Sequence, residues 1–480
     1  METAEAWLRP LGTGLAIVFA VLASGHVVLR KRDVRSAIGW VGLIWLVPWL
    51  GAALYLLLGI NRIKRRAVYL RRDQVRPRDL TSGAAESVES TRISATCLHL
   101  ADLSVAIGNV TGKRLLAGNA FTPLVNGDAA YPAMLSAIDG AQHSITLATY
   151  IFETNGVGAT FVDALAHAQK RGVEVRVLID DIGVRYASPP AHRVLKKFGV
   201  RTALFMPARS LLRAPYFNLR NHRKILVVDG RLGFTGGMNI RQGHVIASQP
   251  KAPTKDLHFK VEGPVVAHLQ EVFASDWEFT TKEPLDGDLW FPKLTSRGST
   301  PARGIADGPD EDLDRFTWTI QAALACAHKS VTIMTPYFLP DAIFHIALST
   351  AALRGVEVNV VLPAENNLRL VQWAMWRQLE EVIGHGVRVW LTPPPFDHTK
   401  LMLVDNEWVL LGSANWDTRS LRLNFELDVE CYDRDLCEDL TAHVSARMSE
   451  ARELSLRELQ GRSLPARVRD GWARLLMPYL

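Results

Sequence analysis

The sequence predicts an α/β protein: two α/β/α lobes related by a pseudo-twofold, with the active site between them, preceded by N-terminal transmembrane helices. Three observations predict this. Two long apolar runs without charge stand near the N-terminus, a helix-then-strand rhythm occurs twice in matching order, and one short His/Lys/Asp pattern recurs once in each repeat.

The apolar runs are residues 11–29 (LGTGLAIVFAVLASGHVVL) and 37–60 (AIGWVGLIWLVPWLGAALYLLLGI), neither with an Asp, Glu, Lys or Arg. At 1.5 Å per residue they extend roughly 28 and 36 Å, enough to cross a hydrocarbon core. No small-residue cleavage site leads into a polar chain, and a second run follows at once, so a cleaved signal peptide is the poorer reading. Pro48 allows the second run a kinked or re-entrant path instead of a simple hairpin. The first 72 residues carry eleven Lys and Arg against three Asp and Glu, while the whole 480-residue chain has a net charge of only +6. The remainder is therefore slightly acidic. The basic balance describes a collar of Arg62, Lys64, Arg65, Arg66, Arg71 and Arg72 that suits a cytoplasmic, anionic membrane surface, not a general nucleic-acid surface. The connector RKRDVRS (30–36) is also positive, so a hairpin and a re-entrant path place it on different sides. Cys97, Cys326, Cys431 and Cys437 lack metal-type spacing and read as reduced thiols of a cytoplasmic body.

After this anchoring region (1–72), residues 73–120 read as a connector with a small outer layer. A first α/β domain spans 121–282, a Gly-, Pro- and Asp-rich linker 283–312, and a second α/β domain with an amphipathic tail 313–480. The duplication shows in AQHSITLATYIF (141–152) against AHKSVTIMTPYF (327–338), and in RGVEVRVLID (171–180) against RGVEVNVVLP (354–363). In each copy an Ala-rich helical run precedes a β-branched strand. The tail RVRDGWARLLMPYL (467–480) reads either as an amphipathic helix on a membrane or as a terminal helix packed on its own domain.

The third matching element is NHRKILVVDG (221–230), which recurs as HTKLMLVDN (398–406), each followed by a turn, GGMN (236–239) or GSAN (412–415). Residues two apart on a strand share a face, so His222 is expected to project with Lys224 and His398 with Lys400. Asp229 and Asp405 have the opposite parity and suit anchoring the strand end. The turns offer backbone N–H groups, Asn239, Asn415 and the Ser413 hydroxyl to anionic oxygens.

Two His and two Lys at a pseudo-twofold interface suit phosphodiester chemistry. Lysines and amides neutralise phosphoryl oxygens as charge reorganises. One imidazole must be neutral to attack phosphorus, and the other protonated to release the leaving alkoxide. Asp256 (KDLHFKVEGP) and Glu426 (NFELDVE), each roughly thirty residues after a motif histidine, are candidates to orient the rings. Exchange of one phosphodiester for another is nearly balanced, and no GxxxxGK[ST] loop is present, so no nucleotide is expected.

At these residues the chain resembles the phospholipase D superfamily, and within it the bacterial cardiolipin synthases with a membrane-spanning N-terminus. The stretches that carry the resemblance include NHRKILVVDGRLGFTGGMNI, DLHFKVEGP, MTPYFLPD, HTKLMLVDN and GSANWDTRSLRLNFE. It implies two phospholipase D-like lobes, an inner-membrane, multi-pass protein with cytoplasmic catalytic domains, and phosphatidyl transfer between two phosphatidylglycerols without metal or other cofactor. By that resemblance His222 is the nucleophile and His398 the acid/base; Lys224, Lys400, Asn239 and Asn415 hold the phosphate; Asp256 and Glu426 orient the rings; Asp229 and Asp405 are supporting members of the motif. Gly237 stands where the second copy has Ser413. A membrane-bound phospholipase D that hydrolyses lipid would use the same residues with water as acceptor, and a nuclease or a lipid-binding scaffold are the other classes. The slightly acidic body argues against nucleic acid, and two intact motifs argue against a scaffold.

Overall fold

The computed structural model describes residues 2–31, 34–59, 98–207, 219–309 and 314–475, in two compact units, 1–69 and 70–480. The basic collar at 62–72 and Cys97 lie outside the described residues.

In the N-terminal unit the helix Glu2–Arg30 contains Thr13–Arg30, the one span among the described residues long and apolar enough to cross a membrane. The second apolar run is not one continuous helix, which corrects the expectation of two long spans. It breaks into Val34–Leu46, Pro48–Leu54 and a π turn Tyr55–Gly59. Pro48 lacks the N–H that would continue the first helix and occupies the first turn of the next, where that loss is harmless. The chain then folds back so closely that a Cβ on Gly51 would lie 2.5 Å from the Leu43 carbonyl oxygen. Ala20, Val27, Ile44 and Tyr55 form the small core of this unit, and the Tyr55 hydroxyl meets His26 Nδ1 at 2.8 Å.

The second unit is built on one sixteen-stranded sheet. Its central seam is the antiparallel pair Leu116–Val125 and Thr300–Asp307. Outward on one side run Leu257–Glu262, Leu232–Gly236, Ile225–Val228, Ser144–Thr149, Glu174–Asp180 and Arg201–Phe205. On the other side run Asn424–Tyr432, Trp408–Gly412, Leu401–Val404, Ser330–Met334, Glu357–Pro363 and Arg388–Thr392, edged by Arg452–Glu453. The two orders are copies of one another about the seam, the tertiary expression of the sequence duplication. In both lobes the strands following the helical crossovers pair in parallel, as right-handed βαβ units require.

Strand parity divides the core. Ile145 and Leu147 face the helices Asn126–Gly140 and Val157–Lys170, whereas Ala148 joins the cluster under Val266–Thr281. That last cluster runs through both lobes, from Phe259 and Phe273 to Val409, Leu427 and Leu436, so the lobes share a core. The stretch 283–312 is not a free linker: Leu285, Trp290 and Leu294 are buried, and Thr300–Asp307 is a seam strand. Turn-forming residues on either side conceal that strand in the sequence. Residues 101–111 form a helix that packs on Arg315–Cys326, with Leu103 and Ile107 buried in the second lobe's core. The helix Leu464–Leu475 packs on Arg369–Ile383. Cys326, Cys431 and Cys437 are free thiols.

Candidate active site

His222 and Lys224 lie in the extended segment just before the strand Ile225–Val228, and His398 and Lys400 just before Leu401–Val404. Each histidine is fastened at its backbone to the opposite lobe. His222 N donates to Phe425 O at 2.9 Å, beside a two-residue parallel pairing of Arg220–Asn221 with the strand Asn424–Tyr432. His398 N donates to Lys255 O at 2.8 Å, beside the pairing of Phe396–Asp397 with Thr254–Lys255.

These attachments cross the carboxylates. Glu426, next in sequence to Phe425, lies 3.0 Å through each oxygen from His222 Nδ1; Asp256, next to Lys255, lies 2.9 Å from His398 Nδ1. Each ring is therefore oriented by the other lobe's carboxylate, not by the one that follows it in its own half. Both rings are nearly enclosed, 13% and 12% exposed, and both carboxylates are fully buried.

The two carboxylates differ in support. Glu426 also accepts from the Ser413 hydroxyl at 2.6 Å and Asn424 Nδ2 at 3.0 Å. Burial pushes its pKa up, but the facing His222, Lys224 and the Ser413 bond more than offset this and hold it at about 2. Asp256 accepts the Leu257 N–H at 2.8 Å, and its burial dominates, raising its pKa. Gly237 stands where Ser413 stands in the other copy, and a Cβ there would lie 2.4 Å from Asp256 Oδ1. The shorter Asp brings its carboxyl against the turn, so glycine is required. Ser413 thus supports a carboxylate in this structure, where the sequence reading offered its hydroxyl to phosphate.

Burial, only partly opposed by Glu426, lowers the His222 pKa to about 4; His398 is lowered well below the ordinary range by burial and by Lys400 and Lys224. Lys224 falls to about 7 and Lys400 to about 8, chiefly through burial, opposed by Glu426 and Asp256. Each ammonium donates to the carbonyl of its own histidine at 2.5 Å. An arriving phosphodiester anion would raise all four values. Tyr150 packs edge-on against His222 at 5.5 Å, and Tyr337 and Phe396 lie 6.4 and 6.1 Å from His398.

Asn239 Oδ1 accepts the Ile151 N–H at 2.9 Å, which leaves its NH2 group for other acceptors; Asn415 Nδ2 reaches Ser420 Oγ at 3.3 Å. Asp229 and Asp405 do not join the rings. Each sits at positive φ past the far end of its strand, roughly 20 Å along the chain from its histidine. Asp229 gathers the N–H groups of Gln142, His143 and Ser144, and Asp405 those of His328, Lys329 and Ser330 together with His99 Nε2. Both carboxylates fix strand starts, the anchoring that strand parity suggested.

Sequence reasoning missed Arg223, between the motif His and Lys. It is buried, binds Asp276 at 2.6 and 2.7 Å, and donates to the Glu426 and Asp307 carbonyls across the seam. An arginine opening a fully apolar strand was the available signal. His244, buried with Nδ1 on Thr254 O at 3.1 Å, is also electrostatically coupled to Asp256 and His398, and no pattern marked it.

Comparison with known proteins accords with this geometry. The family model described as cardiolipin synthase, PLD-like domain, matches residues 134–277 and 320–448, one match per lobe, and a phospholipase D-nuclease N-terminal model matches 18–59. Cardiolipin synthase A of Pseudomonas aeruginosa is 33% identical, over 100% of this chain and 97% of its own; cardiolipin synthase 1 of Staphylococcus epidermidis is 29% identical over 98% and 99%. Among solved structures, phosphatidylserine synthase of Haemophilus influenzae superposes with a TM-score of 0.62 at 15% identity, covering 79% of this chain and 100% of that one, a likeness of fold. A match in each lobe and full-length relatives at this identity establish that the chain belongs to the cardiolipin synthase family of phospholipase D-like proteins.

Proposed function

We propose that this protein is a cardiolipin synthase that transfers a phosphatidyl group between two phosphatidylglycerols in two half-reactions at one site. His222 Nε2 attacks phosphorus of the first lipid, the P–O bond to glycerol breaks, and His398 gives that oxygen its proton. The free hydroxyl of a second phosphatidylglycerol then attacks the phosphatidyl-histidine, returns a proton to His398, and leaves as cardiolipin while the His222 ring is restored.

The observation that carries this reading is the crossed pair of carboxylates, which brings rings from distant parts of the chain into one enclosure with Lys224 and Lys400. Burial lowers the pKa of both rings, and an anionic lipid favours the protonated acid by raising the pKa of His398. Lys224, Lys400, Asn239 and Asn415 hold the phosphoryl oxygens. In the membrane we take Thr13–Arg30 as one crossing and the pair broken at Pro48 as the second element of an inner-membrane, multi-pass anchor with a cytoplasmic body.

The test uses purified full-length protein and phosphatidylglycerol vesicles, with and without phosphatidylethanolamine. Cardiolipin with equimolar glycerol is expected from phosphatidylglycerol alone. Phosphatidic acid as the main product would make water the acceptor and the protein a lipid hydrolase.

A further inference from the structure

The C-terminal helix Leu464–Leu475 turns its apolar side away from its own domain. Leu464, Val468, Trp472 and Leu475 are 72%, 51%, 68% and 66% exposed. Their spacing of four, four and three confines them to one strip, about 80° wide at 100° per residue. The side that packs is polar. Asp470 is buried and takes Arg462 and Arg469, each at 2.8 Å; these guanidinium groups lie over Trp376 and Trp373 at 4.9 and 4.5 Å, and Arg474 pairs with Glu381 at 3.1 Å. A helix of a water-soluble domain normally buries its apolar stripe and exposes its charges. Here the contacts hold the opposite orientation.

We propose that this stripe is a seat on an anionic phospholipid bilayer, with the helix lying in the plane of the surface. Arg467, exposed at one edge of the apolar strip, is placed to meet a lipid phosphate while the stripe enters the acyl boundary; Arg469 and Arg474, which flank the strip, are held by Asp470 and Glu381 and keep the local charge positive. The position suits the chemistry too. The helix that carries the seat, Arg369–Ile383, begins beside the active site, where Tyr337 donates to Asn367 Oδ1 at 2.9 Å and packs near His398, and the next apolar residues, Leu368 and Leu370, are exposed. The inference rests on the phosphatidyl-transfer reading, because a substrate anchored in a bilayer must be drawn from it to reach phosphorus-attacking rings.

The experiment compares the full-length protein with a variant carrying Leu464→Ser, Val468→Ser, Trp472→Ser and Leu475→Ser, none of which touches the core. Transfer from phosphatidylglycerol in vesicles should fall by about 10-fold or more in the variant, while transfer from a short-chain phosphatidylglycerol dissolved as monomers stays within about twofold. Tryptophan quenching by brominated phosphatidylglycerol in the same vesicles should weaken in Trp472→Phe. Equal rates on vesicles, equal losses on both substrates, or unchanged quenching in Trp472→Phe would overturn the proposal. So would conversion of a dimer to a monomer in detergent by the fourfold variant, which would make the stripe a contact between copies. If the unaltered protein makes no cardiolipin from either substrate, the functional reading fails, and the quenching result alone decides the docking.

Discussion

Replacing Glu426 by Gln separates the tasks of the two rings. Both Glu426 oxygens stand 3.0 Å from His222 Nδ1, while one also takes Ser413 and the other Asn424. In the variant the amide NH2 replaces one oxygen. The Ser413 hydroxyl can rotate to accept from it, but Asn424 Nδ2 cannot, so the amide nitrogen settles on the Ser413 side. His222 keeps a neutral acceptor and, as the proposed nucleophile, loses the anion that would stabilise positive charge on the ring as its Nε2 bonds to phosphorus. The loss of a charge-assisted bond and of a fixed tautomer at an attacking histidine is worth roughly 3–5 kcal/mol, or about 10²- to 10⁴-fold in rate. The assay uses a phosphatidyl donor with p-nitrophenol as leaving group, which departs without a proton, and follows the burst that accompanies the phosphatidyl-enzyme. Glu426→Gln should suppress the burst by this factor. Asp256→Asn, which disturbs His398, should spare it yet slow cardiolipin formation from phosphatidylglycerol by about 10²- to 10⁴-fold. The reverse pattern would assign attack to His398, and equal suppression of the burst by both variants would refute the division of labour.

Three further outcomes are expected. The rate kcat/KM on a soluble phosphatidylglycerol should decline as pH rises through about 7 to 8, because the active lysines are protonated and burial holds Lys224 at about 7 and Lys400 at about 8; Lys224→Arg, which removes the lower titration, should move the decline toward about 8, and a profile flat to alkaline pH would remove the lysines from the phosphate shell. Gly237→Ser should cut transfer by roughly 10- to 100-fold by displacing Asp256, whose oxygen lies 2.4 Å from the added Cβ, and unchanged kinetics would show that the turn can yield. Asp405→Ala strips the acceptor from the His328, Lys329 and Ser330 N–H groups and should lower stability by about 2–4 kcal/mol in denaturant titrations, with activity of the folded fraction kept; selective loss of activity at full stability would contradict an anchoring role.

Much of this molecule is legible in one dimension. The duplication, the strands at 144–149 and 174–180, the paired His and Lys, and the apolar N-terminal span all rest on local period, local composition or self-similarity, which neighbouring residues express without knowledge of the fold. The identities of the chemical groups were also available. What those groups touch was not, because a partner is set by which strands meet at the seam. His222 and Glu426 are 204 residues apart, and His398 and Asp256 are 142 apart. Only the backbone attachment of each histidine to the opposite lobe decides that crossing. Tertiary packing likewise turns 300–307 from apparent linker into a central strand, directs Ser413 to a carboxylate, and aims the C-terminal helix with its charges inward. Sequence period reports how a segment alternates; the direction in which its faces point is settled by the burial and hydrogen-bond satisfaction of residues far along the chain.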